Sequence, residues 1–421
     1  MTSRERLLAS LNHQEPNRVP VDLGATAVTG IHASTLSKLR LALGLDQPGD
    51  PVKVVEPYQM LGEVTDDLRE ALGIDTIGLG SGLTMFGFPA ADWKPWTLFD
   101  GTPVLVPGLF NTQPEPNGDL LQYPEGDQSV PPSGRMPAAG YYHDSLIRQE
   151  PIDEAHLDPD DNAEEFTHLT HDDGERLEAE ADRLYHTTPY GVVAGLGGMG
   201  FGDIAWVPGP QLKHPRGIRD VAEWYMSTVS RRDYVYEVFE RQCEIALQNL
   251  ARVAPLVGDS VQVLFVTGTD FGTQRGPFLS VATYRDLFKP FHTLLNRWVH
   301  HNTAWKTFMH SCGGVEPLLE DFIEAGFDIL NPVQVSAEGM DAAELKRDYG
   351  DRLTFWGAGA DTQRTLPFGS PEEVKRETLS RLETFAPGGG YVFNPIHNLQ
   401  PKTPVENVVA MFEAVREFAE G

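Results

Sequence analysis

The chain has 421 residues, 40% of them hydrophobic with seven tryptophans, which is enough to bury a sizeable core and suits a (β/α)8 barrel carrying an insertion. Its net charge of −28 argues against nucleic acid and anionic membranes, because phosphate recognition needs clustered Lys and Arg; it suits a high-salt source or a basic partner. No apolar run approaches the ~20 residues that span a bilayer, the start lacks the apolar stretch of a signal peptide, and two cysteines build no disulfide framework, so a cytoplasmic protein is expected.

In chain order, Arg4–Leu11 reads as a short amphipathic helix and Arg18–Asp22 as a first strand. Ala33–Leu43 carries a helical stripe at Leu36, Leu39 and Leu43, with Gly44 placed to end it. Val64–Leu72 follows as a helix and Ile74–Leu79 as a second strand. Ser81–Leu157 then breaks the pattern, being rich in Pro, Gly and aromatics. Within it Trp96–Val106 reads as two strands about an Asp100-Gly101 turn. This segment is expected to be a β-rich insertion between strands two and three, folded as a cap over a barrel mouth within one domain spanning residues 1–421.

Beyond an acidic approach at 151–165 and a helix over Gly174–Tyr185, the alternation resumes. Strands are expected at Tyr190–Leu196, Val261–Thr267, Lys306–Met309, Asp328–Asn331, Leu353–Gly357 and Gly390–Asn394. Helices are expected at Ile218–Val229, Asp233–Val253, Val281–His301, Val315–Ala325 and Thr403–Ala419. Eight strands with intervening helices predict an α/β fold, a TIM (β/α)8 barrel.

In such a barrel the carboxyl ends of the strands converge on one mouth. The polar residues that stand out fall there: Asp22, Asp270, His310, Cys312, Gln334, Asp361 and His397. His310 and Cys312, two apart in an extended segment, face one side and can chelate one ion; alone, the pair also reads as a buried histidine and a structural thiol. His397 faces the same opening. Three ligands of this kind with an open position make a catalytic zinc site, and the thiolate argues against magnesium or calcium. A zinc ion there would hold a thiol as thiolate or polarise an ether oxygen.

Asp270 stands in a glycine-containing loop, Thr267–Gly276, where backbone can approach a ligand, and with Gln334 it is expected to orient substrate. Asp22 and Asp361 read equally as helix N-caps. Cys243 shares a helix face with Phe239, Ala246 and Leu250 and is read as core. His300 and His301 are placed to cap a helix C-terminus, and His168 and His171 to face solvent. Gly195–Gly202 lacks the context of a nucleotide loop.

Three segments, Asp270–Gln274, His310–Gly314 and Asn394–Val408, resemble the uroporphyrinogen decarboxylase superfamily, with a fainter likeness at Glu15–Pro20. The resemblance implies a TIM barrel with its site at the strand ends. The decarboxylase branch carries an arginine-rich segment after the first strand; here Asp22–Gly30 has no Arg. The zinc methyltransferase branch carries His-x-Cys, matched by His310 and Cys312, plus a later Cys where this chain has His397.

The methyltransferase branch is therefore the expectation. It implies a zinc enzyme moving methyl between a small methylated substrate and a thiol or a corrinoid (cobalamin) held by a partner protein. A metal-free decarboxylase-like lyase and a non-catalytic binding barrel are the alternatives. The oligomeric state stays open, a homodimer included.

Overall fold

The structure, a computed structural model, describes residues 1–420. Seven parallel strands form its central sheet: β1 (Thr76–Leu79), β2 (Gly191–Ala194), β3 (Val263–Thr267), β4 (Lys306–His310), β5 (Ile329–Asn331), β6 (Thr354–Ala358) and β7 (Tyr391–Asn394). Their order in the sheet is their order in the chain. They are short apolar runs buried along both faces, as strands covered on both sides must be.

The first expected strand, Arg18–Asp22, is reduced to one parallel bridge, Val21 to Phe393 of β7. Pro20 is the physical reason, since it has no N–H to continue a ladder. The segment still spans the gap between the edges of the sheet. The Asp22 amide donates to Phe393 and the Phe393 amide to Pro20, each at 2.8 Å, while the Asp75 amide, just before β1, donates to Val21 at 2.8 Å.

A small apolar cluster fills the inside of the curl, each strand from β2 to β7 contributing: Val193, Val263, Phe265, Phe308, Ile329, Trp356 and Val392. Leu7 and Leu11 of the N-terminal helix Ser3–Leu11 join it and close that end. Side chains two residues further along a strand point the same way. The next inward positions on β4, β5 and β7 are therefore His310, Asn331 and Asn394. The interior turns polar where the strands end, and this polar layer positions the site.

Several helices differ from the sequence expectation. The stretch expected as one helix over Val281–His301 is Val281–Thr283, a widened turn at Tyr284–Phe288, and Lys289–Asn302, because Pro290 removes a helical N–H. Val315–Ala325 is helical only from Glu316 to Glu324. The helices Ala342–Tyr349 and Pro371–Phe385 are not placed individually from sequence; Phe385 of the second packs on Phe355 of β6 and Tyr391 of β7.

The segment after β1 holds the hairpin at Asp100-Gly101, pairing Lys94–Thr97 with Pro103–Val106. Val52–Glu56, not placed as a strand from sequence, joins Pro103–Val106 in parallel. The small sheet thus extends beyond the 81–157 boundary expected from composition. Leu120–Gln122, Gly134–Met136 and Asp144–Ser145 make a second small sheet.

Polar contacts from this segment reach loops that leave the carboxyl ends of β2 and β7. Arg148 donates to the Leu212 carbonyl, Lys213 pairs with Glu125 and Asp127, and Lys402 lies 5.0 Å over the Tyr141 ring. No helix among the described residues is long and apolar enough to cross a membrane.

Candidate metal centre

His310 is the last residue of β4, Cys312 lies just beyond it, and His397 sits in the loop after β7. The fold brings one donor atom from each to within 4.8 Å of the others. Cys312 Sγ is 3.4 Å from His310 Nε2, and the two imidazoles meet edge to face with centroids 5.1 Å apart.

His310 is set for ligation by its neighbour strand. Its Nδ1 donates to Asn331 Oδ1 at 2.6 Å, which leaves the Nε2 lone pair facing the thiol. His397 adopts a left-handed backbone, φ 68°, and its Nδ1 accepts from the Asn398 amide at 2.7 Å. Its neutral ring therefore carries the proton on Nε2, and binding a metal would displace either that proton or the Asn398 hydrogen bond.

Burial pushes His310 down to about 4 and His397 to about 3, the latter helped by the neighbouring imidazole, so both rings are neutral near pH 7. Burial, then the Asp270 charge, raises the Cys312 thiol well above its usual range. A divalent soft cation would reverse that by binding the thiolate. Two neutral nitrogens and one sulfur are the donors zinc takes. The residues present fit such an ion.

Asp270 and Gln334 shape the loop that carries the thiol. Asp270 Oδ1 accepts the Cys312 amide at 2.7 Å and lies 3.9 Å from His310 Nε2. Burial lifts its carboxyl above the usual range. Gln334 accepts the Gly313 amide at 2.9 Å and donates to Gln274 at 3.1 Å. The glycines of the Asp270 loop serve a backbone contact: a Cβ on Gly272 would stand 2.5 Å from the Cys312 carbonyl oxygen, and Gly313 holds φ 85° against Gly272.

The other singled-out residues lie elsewhere. Asp22 is fully buried and caps no helix, since His32 caps the next one; it accepts from Thr76 at 2.6 Å and from the Trp356 indole at 2.9 Å. Asp361 accepts the Gln363 amide in a turn, while the short helix after it starts from Arg364. His300 caps no carbonyl; it pairs with Asp328 at 2.8 Å. Cys243 is buried in the helix Arg232–Val257, its thiol pushed up to about 12 by that burial. His168 and His171 are exposed.

Two residues at the site carry no sequence signal. Asp203 follows the glycine-rich run after β2, and burial together with the Asp270 charge raises its carboxyl to about 6. Tyr225 lies on the helix Val221–Ser230, its hydroxyl shut off from solvent without a hydrogen-bond partner.

Residues 214–418 match the uroporphyrinogen decarboxylase family model. Among curated relatives, the uroporphyrinogen decarboxylase of Coxiella burnetii is 33% identical over 79 residues, covering 19% of this chain and 21% of the relative. The methylcobamide:CoM methyltransferase MtaA of Methanosarcina barkeri is 35% identical over 112 residues, covering 27% of this chain and 31% of MtaA. The matched stretches thus span less than a third of either relative. A solved methyltransferase from Methanosarcina mazei shares the fold, with a TM-score of 0.54, 17% identity and 99% of both chains covered.

Proposed function

With residues 214–418 matching the uroporphyrinogen decarboxylase family model, we propose that the protein is a zinc-dependent methyltransferase of this superfamily. In this reading it moves a methyl group between a small methylated substrate and a thiol or corrinoid acceptor, the corrinoid held by a partner protein. The observation that carries the reading is the gathering of His310, Cys312 and His397 donor atoms within 4.8 Å at the carboxyl ends of β4 and β7. The likeness to MtaA supports it.

In this proposal His310, Cys312 and His397 hold one Zn²⁺. When bound, the metal supplies Lewis acidity and stabilises thiolate at neutral pH. The chain's own part is positional. Asn331 keeps the His310 lone pair on the metal side, while Asp270 and Gln334 brace the Cys312-Gly313 backbone. Neither Asp270 nor Gln334 then acts as an acid or base; Asp270 additionally lends negative charge beside the donors.

The whole chain is read as one domain, with 81–157 as a cap that excludes water from the mouth. Its contacts with the loops after β2 and β7 support that placement. Asp22–Gly30 offers no arginine for the carboxylates of a tetrapyrrole, which weighs against the decarboxylase alternative.

Metal analysis of the purified chain tests the reading together with a transfer assay against methylated donors and a corrinoid protein. One zinc per chain and methyl transfer that depends on it are expected. Metal-free protein that releases carbon dioxide from a porphyrinogen overturns it.

A further inference from the structure

The three metal donors are held by different parts of the chain. His310 is fixed from the barrel through Asn331, and the Cys312-Gly313 backbone through Asp270 and Gln334. His397 stands in the left-handed region, φ 68°, where a residue with a Cβ is strained unless its surroundings impose the conformation. The residue that follows it supplies the constraint.

Asn398 is 1% exposed, and both polar atoms of its side chain are engaged. Its Oδ1 accepts the Gly30 amide at 2.5 Å, and its Nδ2 donates to the Ala27 carbonyl and to Gln59 Oε1, each at 2.9 Å. Gln59 Nε2 closes the triangle by donating to the Ala27 carbonyl at 3.1 Å. The turn that carries Gln59 is fixed in its own right. The Glu56 carboxylate accepts the Tyr58 and Gln59 amides at 2.9 and 2.8 Å. His143, within the 81–157 segment, donates its amide to the Tyr58 carbonyl at 2.8 Å and its Nδ1 hydrogen to the Pro57 carbonyl at 2.9 Å. Just past Asn398, the Leu399 amide donates to Gly30 at 3.0 Å and the His32 amide to Leu399 at 2.9 Å. The loop that carries His397 is thus joined, through side chain and backbone, to the cap side of the mouth.

We propose that Asn398 is the positioning residue of the third metal donor and Gln59 its anchor, so that the cap side of the mouth sets where His397 stands. The proposal rests on the metal reading above and adds to it the residues that place one donor. Asn398 acts through the backbone of residue 397. Its amide, which donates to His397 Nδ1, belongs to the backbone and survives a change of either side chain. Any cost of displacing that bond is therefore the same in every variant. What the substitutions change is how firmly residue 397 is held.

Zinc affinity of the full chain, read by competition with a chromophoric chelator, tests this. Asn398→Ala should weaken zinc binding about 10-fold, the lower end of what partners that orient a ligating histidine contribute. Gln59→Ala should weaken it about 3–5-fold, the equivalent of one hydrogen bond. Gln59 is half-buried on a turn, so its replacement remains informative if Asn398→Ala fails to fold. A cycle with His397→Ala separates positioning from general stability. With the third donor gone, neither substitution should move the residual affinity by more than about 2-fold, whereas Asn331→Ala, which acts on His310, should keep its effect.

Losses that persist undiminished in the His397→Ala background, or zinc affinity unaltered in both single variants, overturn the proposal. Wild-type protein without zinc sinks the metal reading and this proposal with it. A zinc-loaded chain whose affinity ignores Asn398 and Gln59 sinks the proposal alone.

Discussion

Asn331 holds His310 through a bond whose direction is settled on both sides: the Asn331 side-chain nitrogen donates to the Trp356 carbonyl at 2.8 Å, so its oxygen is the atom that takes the His310 Nδ1 hydrogen at 2.6 Å. One amide thus ties β4 to β5 and β6 and assigns the imidazole tautomer. Such partners of a ligating histidine typically contribute about 10–100-fold to metal affinity. Asn331→Ala should therefore weaken zinc binding by about that factor with all three donors intact, as read by competition with a chromophoric chelator. Unaltered affinity would mean that the tautomer does not depend on this bond.

Cys312→Ala should abolish stoichiometric zinc while leaving the barrel folded. The thiol is only partly buried and belongs to a loop, and the backbone bond from residue 312 to Asp270 survives the change. Elemental analysis should fall from one zinc per chain to none, with the circular dichroism spectrum kept. Cys243 supplies the contrast: Cys243→Ser puts a hydroxyl into a packed helix face and should cost about 1–3 kcal/mol with zinc retained.

The strands and the gathering of His310, Cys312 and His397 were open to sequence reasoning because each strand is a compact apolar run that ends at a polar or glycine residue. His310, Cys312 and His397 stand at such ends, where residue type and periodicity suffice to suggest a shared mouth. The closing segment at Val21 is a different matter: Pro20 allows only one bridge, a detail of hydrogen bonding that apolar pattern does not carry. Asp203 and Tyr225 escaped for another reason. Asp203 sits past a run of glycines without motif spacing and Tyr225 on an ordinary helix, so their place beside Asp270 arises only from tertiary packing. Asp270 and Gln334 show the opposite limit, since sequence located them at the site but their bonds to the Cys312 and Gly313 amides are loop-bracing geometry.

Asp22 is a buried carboxylate whose burial raises it above its usual range, opposed by donors from Thr76, Trp356, Thr29 and Ala25. Trp356→Phe removes the 2.9 Å indole donor while nearly preserving the ring inside the sheet. It should destabilise the chain by about 1–3 kcal/mol, the cost of leaving a buried acceptor short of a partner. Urea unfolding measures this; a loss below a few tenths of a kcal/mol would show that the remaining donors suffice.

Asp203 should make the protein less stable as pH rises through the range of its own titration. Its carboxyl stands at about 6 in the folded chain against an ordinary 3.8, raised first by burial and then by Asp270, with only the Ala205 amide opposing. The native state thus holds this proton across roughly pH 4–6 where the unfolded chain has released it. Stability owed to the protonated group is present below that window and declines through it, the full cost of a buried charge remaining above about 6. Asp203→Asn carries no charge to bury and escapes the cost. Its advantage over the unaltered chain should be small near pH 4 and grow to about 1–3 kcal/mol by pH 7–8. Unfolding curves of both proteins at pH 4.5, 6 and 8 without added ligand check this. A difference that stays constant across the three pH values would mean that Asp203 titrates as an ordinary solvated carboxylate.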